Sequence, residues 1–272
     1  MSKLEIGVLV PLANLDEEIK KVADFGLRSC QVCSWKQAAW TDETGGQLAA
    51  ACATHGVKVS TFWAGYSGPA AWNFIQGPST IGLVPPEHRK QRVAELKAAA
   101  DFAAKFKLPS ITTHVGFLPE DPSDPKYAGA VEAIAEVAGH CNSLGIFFQF
   151  ETGQETPVTL LRTIERIGLP NLGINLDTAN LILYGKGNPL DALDVFGKYV
   201  RDLHAKDGLY PTDGDHLGRE VPVGQGKVDF AGIIAKLKLL GYSGPLTIER
   251  EISGPKQIAD IKDAVAYLRK LL

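Results

Sequence analysis

Ile146-Phe147-Phe148-Gln149-Phe150-Glu151, the helical pattern Pro157–Ile167 and Leu172-Gly173-Ile174-Asn175-Leu176-Asp177 read in succession as strand, helix, strand. Both outer runs are short, apolar and closed on a carboxylate, as expected of strands buried in a parallel sheet. A strand that returns to a parallel neighbour through a helix is the unit of an α/β sheet.

The same alternation extends outward in both directions. Toward the carboxyl end, strands are expected at Val200–Lys206 and Leu246–Glu251, with helices near Pro189–Phe196, Asp229–Leu240 and Pro255–Leu271. Toward the amino end, strands are expected at Leu4–Val10, Arg28–Ser34, Val57–Trp63 and Ser110–Val115. The helices there fall near Asn14–Phe25, Asp42–Thr54, Glu87–Phe106 and Lys126–Leu144, with Asn14 a plausible N-cap and Gly26 a stop. Eight pairs can close into a barrel, and the length of 272 residues is close to the ~250 usual for one. An open doubly wound sheet is the alternative, but no GxGxxG follows the first strand. The expectation is a single (β/α)8 TIM barrel over residues 1–272, interrupted by a long Gly- and Pro-rich loop around 64–86. That loop carries Tyr66, Trp72 and Phe74, which suits a substrate-covering lid.

Composition narrows the function classes. Hydrophobic residues make up 45% and charged residues 22%, the balance of an ordinary globular chain. A net charge of −3 without a dense Lys/Arg run lacks the footprint of a nucleic-acid binder. No run approaches the ~18 apolar residues of a membrane span, and the run after Met1-Ser2-Lys3 suits a buried strand better than a signal peptide. Cys30 and Cys33 form a lone CxxC inside a strand, where residues three apart face opposite ways. The expectation is reduced thiols in a cytoplasmic protein.

The expected strand ends carry the chemistry. In a barrel the C-terminal ends of the strands form the reactive face. Residues two apart share a side of a strand, which turns His114, Gln149 with Glu151, Asn175 with Asp177, His204 with Lys206, and Glu249 with Glu251 inward. Phe150, Leu176, Leu203 and Ile248 then face the helices. Carboxylates crowded into one apolar mouth repel one another unless a cation joins them. Glu151, Asp177, His204 and Glu249 make an oxygen-dominated set that suits one divalent ion, Mn²⁺, Mg²⁺ or Co²⁺, with Zn²⁺ also allowed. Barrel-mouth ion pairs, Glu249 with Lys206 for example, are the alternative.

Phe150-Glu151-Thr152-Gly153, Asn175-Leu176-Asp177-Thr178, Leu203-His204-Ala205-Lys206-Asp207, Val223–Phe230 and Leu246–Glu251 occur in an order and spacing that resembles the xylose isomerase-like TIM-barrel superfamily of sugar isomerases and epimerases. The resemblance covers essentially the whole chain. In the ketose 3-epimerases it implies one metal held at Glu151, Asp177, His204 and Glu249, with Glu151 and Glu249 exchanging a proton on opposite faces of the substrate. A polarised carbonyl stabilises the enediolate, and a nearby glutamate acts as base. Family epimerases often carry a histidine where this chain has Asn180, which leaves room for dehydration or β-elimination on a keto-sugar. The superfamily also contains the abasic-site enzyme endonuclease IV. His114, Glu151, Asp177, His204 and Glu249 match its zinc cluster, but Asn180, Gly218 and Glu220 do not. A non-catalytic metal- or sugar-binding protein is a further alternative. The resemblance is compatible with a homodimer or tetramer.

Lys206 suits a substrate oxyanion or an ion pair with Glu249 or Glu251, while Glu220 suits substrate hydroxyls or a solvated loop. Trp35, Trp63 and Trp72 offer rings for stacking on a sugar, with core packing the alternative for Trp63. Arg250 has the wrong parity for the pocket and is expected to anchor the helical layer. His55, His88, His140 and His216 read as surface residues.

Overall fold

A computed structural model describes residues 4–272, so the expectation for Met1–Lys3 lies outside the described residues. Eight parallel strands close into a barrel: β1 (Ile6–Pro11), β2 (Ser29–Ser34), β3 (Lys58–Ala64), β4 (Ser110–Thr113), β5 (Phe147–Glu151), β6 (Leu172–Asp177), β7 (Val200–Ala205) and, last in the chain, β10 (Leu246–Ile248), which pairs with both β7 and β1. Two further strands, β8 (Asp207–Leu209) and β9 (Arg219–Val221), form a small antiparallel hairpin beyond the barrel.

The outer layer comprises α1 (Leu15–Asp24), α2 (Asp42–His55), α4 (Pro86–Lys105), α5 (Pro125–Ser143), α6 (Pro157–Ile167), α8 (Pro189–Phe196), α9 (Phe230–Leu239) and α10 (Pro255–Leu271). Two one-turn helices, α3 (Gly77–Thr80) and α7 (Asn180–Leu183), lie in loops. Local chemistry sets the boundaries. Proline occupies the first turn of α4, α5, α6, α8 and α10, where its missing N–H costs nothing. Thr41, Asp124, Thr156 and Asp229 accept backbone N–H bonds as N-caps. Asn14 precedes α1 as expected but caps nothing with its side chain: it adopts φ 47°, the left-handed conformation.

Phe148, Phe150, Leu176, Leu203 and Ile248 pack outward against the helices in the main apolar core. The barrel interior is polar, unlike the branched aliphatic filling usual for the fold. Gln149 Nε2 donates to Ser110 Oγ, Ser110 Oγ donates to Thr61 Oγ1, and Thr61 lies 2.9 Å from Thr112 Oγ1. Such a network fixes strand register because each buried polar group needs its partner.

The 64–86 loop is bound firmly to the barrel. Buried Arg92 of α4 donates to the carbonyls of Ser67, Pro69, Thr80 and Gly82, and Arg89 donates to Leu83 and Val84. Where the loop crosses the chain after β4, a Cβ on Gly82 would lie 2.0 Å from the Val115 carbonyl. No helix among the described residues is long and apolar enough to cross a membrane.

Candidate active site

The ends of β5, β6 and β7 and the segment following β10 place Glu151, Asp177, His204 and Glu249 together. One ligand-type atom from each lies within 4.8 Å of all the others. His204 Nδ1 is 3.1 Å from Glu151 Oε1, 3.2 Å from Glu249 Oε2 and 3.7 Å from Asp177 Oδ2. Asp177 Oδ2 and Glu249 Oε2 are buried with no hydrogen-bond partner. Their near neighbours supply charge without hydrogen-bond geometry.

The backbone and neighbouring side chains orient this set. Asp177 Oδ1 accepts the N–H groups of Ala179 and Asn180 at 2.8 and 2.7 Å, which turns Oδ2 toward the cluster. Thr152 and Asp177 exchange hydrogen bonds across β5 and β6. His204 Nε2 donates to Gln31 Oε1 at 2.8 Å, and Gln31 Nε2 donates to Asn175 Oδ1 at 3.1 Å. With Nε2 committed to Gln31, Nδ1 is the nitrogen that faces the three carboxylates, the one that would ligate a metal ion on giving up its proton. Trp63 Nε1 donates to Glu151 Oε2.

Charge compensation is incomplete among the side chains alone. Burial pushes the Glu151 carboxyl up to about 7 and raises Asp177, the latter opposed by Lys206. Burial also acts to raise Glu249, but Lys206 and His204 override it and hold that carboxyl well below its ordinary value. His204 is lowered by burial and raised more strongly by Glu249 and Glu151, ending well above the usual imidazole range. His114 is driven down to about 3 by burial and by Lys206, so it is neutral. Two orphaned carboxylate oxygens, an aligned imidazole and a predominance of oxygen donors fit a divalent cation. The cluster can hold a divalent metal ion, and among the described residues it is the one such grouping of His, Cys, Asp and Glu.

A cavity of about 340 Å³ opens onto the cluster and is lined by Glu151 and Glu249, by His114 and Asn180, and by Trp35, Trp63 and Trp72. His114 Nε2 lies 3.6 Å from Glu151 Oε1, just beyond the four-residue cluster. Lys206 is buried, with Nζ 2.6 Å from Glu251, 3.2 Å from Glu249, 3.3 Å from Asn180 Oδ1 and 3.6 Å from Asp177. β10 ends at Ile248, so Glu249–Glu251 follow it as a loop, shorter pairing than the expected strand through Glu251. Glu249 still turns inward, Glu251 lines the rim, and Arg250 points back to bind Asp260 of α10.

Glu220 does not line the cavity. It pairs with Arg250 at 2.9 Å and accepts the Glu251 N–H, fixing the segment that presents Glu249. His55, His140 and His216 pair with Asp16, Asp101 and Asp213 at the periphery. Cys30 is buried in the core and Cys33 faces the cavity, the opposite orientation expected from their spacing; both are free thiols.

Gln31, Tyr184 and Leu217 were not singled out by sequence. Gln31 had a usable signal: it is a long polar side chain in β2 with the same parity as Ser29 and Cys33, flanked by the apolar Cys30 and Val32. Tyr184 and Leu217 reach the cavity from α7 and from the β8–β9 hairpin, neither of which has a periodic pattern long enough to read.

A family model described as xylose isomerase-like TIM barrel matches residues 19–271. A solved xylose isomerase domain protein from Planctomyces limnophilus is 37% identical, with 99% of this chain and 98% of that chain covered and a TM-score of 0.93. A D-psicose 3-epimerase solved in the presence of D-fructose is 20% identical, with 99% of each chain covered and a TM-score of 0.73. The probable 3-DHS dehydratase of petrobactin synthesis from Bacillus anthracis is 16% identical, covers 98% of this chain and 99% of that chain, and has a TM-score of 0.72. An uncharacterized protein of Methanocaldococcus jannaschii is 27% identical over 192 residues, which span 65% of this chain and 60% of that relative.

Proposed function

The chain belongs to the xylose isomerase-like TIM-barrel family, and from that premise we propose that it is a metal-dependent sugar or keto-sugar isomerase or epimerase. The observation that carries the reading is the convergence of Glu151, Asp177, His204 and Glu249 at the floor of a sugar-sized cavity, with two carboxylate oxygens left without partners. These four residues would hold the ion, with Mn²⁺ the preferred choice and Mg²⁺, Co²⁺ or Zn²⁺ compatible with the donors. When bound, the ion supplies Lewis acidity that polarises the substrate carbonyl and a neighbouring hydroxyl.

The chain's own residues do the proton work. Glu151 and Glu249 come from non-adjacent barrel strands, so they can approach a sugar carbon from different sides. One carboxylate takes the proton beside the carbonyl to form the enediolate, and the other returns a proton to the opposite face. Trp63 restrains Glu151, while Lys206 holds Glu249 ionised and ready to accept. His114, neutral and facing the cavity, and Asn180 are placed to bind substrate hydroxyls.

Metal-loaded protein incubated in D₂O with candidate ketoses is expected to incorporate deuterium beside the carbonyl. Glu151→Gln and Glu249→Gln should each abolish the exchange; exchange that persists in both variants rules out the glutamate pair. Sugar binding without turnover, unchanged in both variants, would instead indicate a binding protein. Dehydration or β-elimination of a keto-sugar is a second reading, favoured by Asn180, whose amide lines the cavity where an ionisable histidine would serve an epimerase. Products that are only isomers of the substrate would eliminate it.

A further inference from the structure

Two indoles in the cavity wall are more exposed than a finished apolar wall would leave them. Trp35 and Trp72 are 40% and 41% exposed, yet both line the cavity. Trp63, the inner member of the group, bonds to Glu151; Trp35 packs on Trp63 with ring centroids 5.0 Å apart, and Trp72 meets Trp35 edge-on at 6.0 Å. Trp72 also packs at 5.1 Å on His114. The aromatic wall therefore runs outward from a metal ligand toward solvent. Its exposure is not the result of a loose loop, because Arg92 and Arg89 bind the 64–86 segment through its carbonyl groups. Exposed apolar surface in a fixed concave wall marks a surface that a ligand covers.

Charge at the mouth excludes a second ligand class. Among the described residues that line the cavity there is neither arginine nor lysine. The nearest ammonium, Lys206, is already held by Glu251 and Glu249. Backbone N–H groups that elsewhere cradle phosphate are also occupied. Asp207 accepts from Gly224, Gly226 and Val228 in the glycine-rich turn, where a Cβ on Gly226 would lie 2.1 Å from its Oδ1. The Asn180 N–H at the head of α7 is taken by Asp177. With Glu249 and Glu251 on the lining and no arginine or lysine beside them, the mouth offers a phosphate dianion no counter-charge.

We infer that the site takes an uncharged sugar bearing a second ring, a glycoside or oligosaccharide, with the reacting sugar at the metal ligands and the second ring on Trp35 and Trp72. This rests on the sugar chemistry proposed above and adds the class of substrate. Stacking a second ring on an indole adds to the burial of its area, so the two outer tryptophans select the ring-extended form.

Calorimetric titration of the magnesium-loaded protein with glucose, galactose and mannose, each as free sugar, 6-phosphate and phenyl glycoside, tests the inference. At least one phenyl glycoside is expected to bind about tenfold more tightly than its free sugar, the size of one or two stacking contacts, and every 6-phosphate more weakly than its free sugar. Trp72→Ala and Trp35→Ala should each remove most of the glycoside advantage, whereas Trp72→Phe should retain it. A 6-phosphate that binds more tightly than its free sugar, or a glycoside advantage that survives both alanine variants, overturns the inference and leaves the sugar chemistry standing. Absence of binding by all nine compounds overturns the inference, and the D₂O exchange with ketoses decides separately whether the sugar chemistry stands.

Discussion

Gln31 offers the sharpest test of how the barrel interior controls the reactive centre. Its carboxamide is fully buried, accepts the His204 Nε2–H at 2.8 Å and donates to Asn175 at 3.1 Å. Gln31→Leu keeps a side chain of similar bulk but removes both bonds. His204 Nε2–H then loses its acceptor in a place water does not reach. A buried donor left unpaired costs about 1–3 kcal/mol, and the imidazole can recover part of that by moving its proton to Nδ1 or by turning. Either movement takes the lone pair away from Glu151, Asp177 and Glu249. Groups that orient a ligating histidine are worth about 10–100-fold in metal affinity, or about 1.4–2.8 kcal/mol. The expected result for Gln31→Leu is a Mn²⁺ dissociation constant raised by about that factor, measured by competition with a chromophoric chelator. Gln31→Glu, which retains an acceptor, should lie closer to wild type. Mn²⁺ affinity within twofold of wild type in the leucine variant would refute the assignment of Nδ1 as the donor atom set by Gln31.

Asp177→Ala removes a carboxylate already aimed by two backbone N–H groups, and bound metal should fall from one equivalent to a small fraction by elemental analysis; retention of one equivalent would exclude Asp177 from the ligand set. Glu155 is buried with neither carboxylate oxygen paired, and burial pushes it up to about 8. The native state thus keeps a proton that the unfolded chain releases above its ordinary carboxyl value, so this group lowers stability as pH rises from about 4.5 to 8. Glu155→Gln should gain on wild type by about 3 kcal/mol between pH 5 and pH 8 in urea denaturation; a difference independent of pH would show that Glu155 ionises normally. Arg92→Met removes a guanidinium that binds four loop carbonyls and should cost about 3 kcal/mol or more, with earlier proteolysis inside 64–86; an unchanged urea midpoint would mean the loop holds its place without it.

Much of the architecture was legible because short-range periodicity encodes it. α6, α8 and β6 begin and end at the expected residues, since Thr156, Asn188 and the prolines that follow them mark helix starts within the sequence itself. Alternation along β5, β6 and β7 placed Glu151, Asp177 and His204 on the inner side, and the structure brings them together with Glu249. The short elements α3, α7, β8 and β9 escaped because three or four residues are too few to show a period, and their contacts come from distant parts of the chain.

Other features depend on closure of the barrel. Nothing local to Gln31 specifies that it will meet His204, 173 positions away, or that this contact decides which imidazole nitrogen faces the carboxylates. Glu220 was open to two readings from its surroundings in sequence; only the packing of the hairpin beside Arg250 made it the support for Glu251. Gly224 and Gly226 stand within the Val223–Phe230 motif, but nothing local shows that Asp207, 17 and 19 positions away, accepts their N–H groups. Sequence by itself determined the repeating strand–helix order and the inward parity of the reactive side chains, because both follow from backbone geometry over a few residues. The tertiary structure alone decided which His204 nitrogen faces the carboxylates, the electrostatics of the mouth and the aromatic wall, because each depends on distances between groups that the chain brings together only on folding.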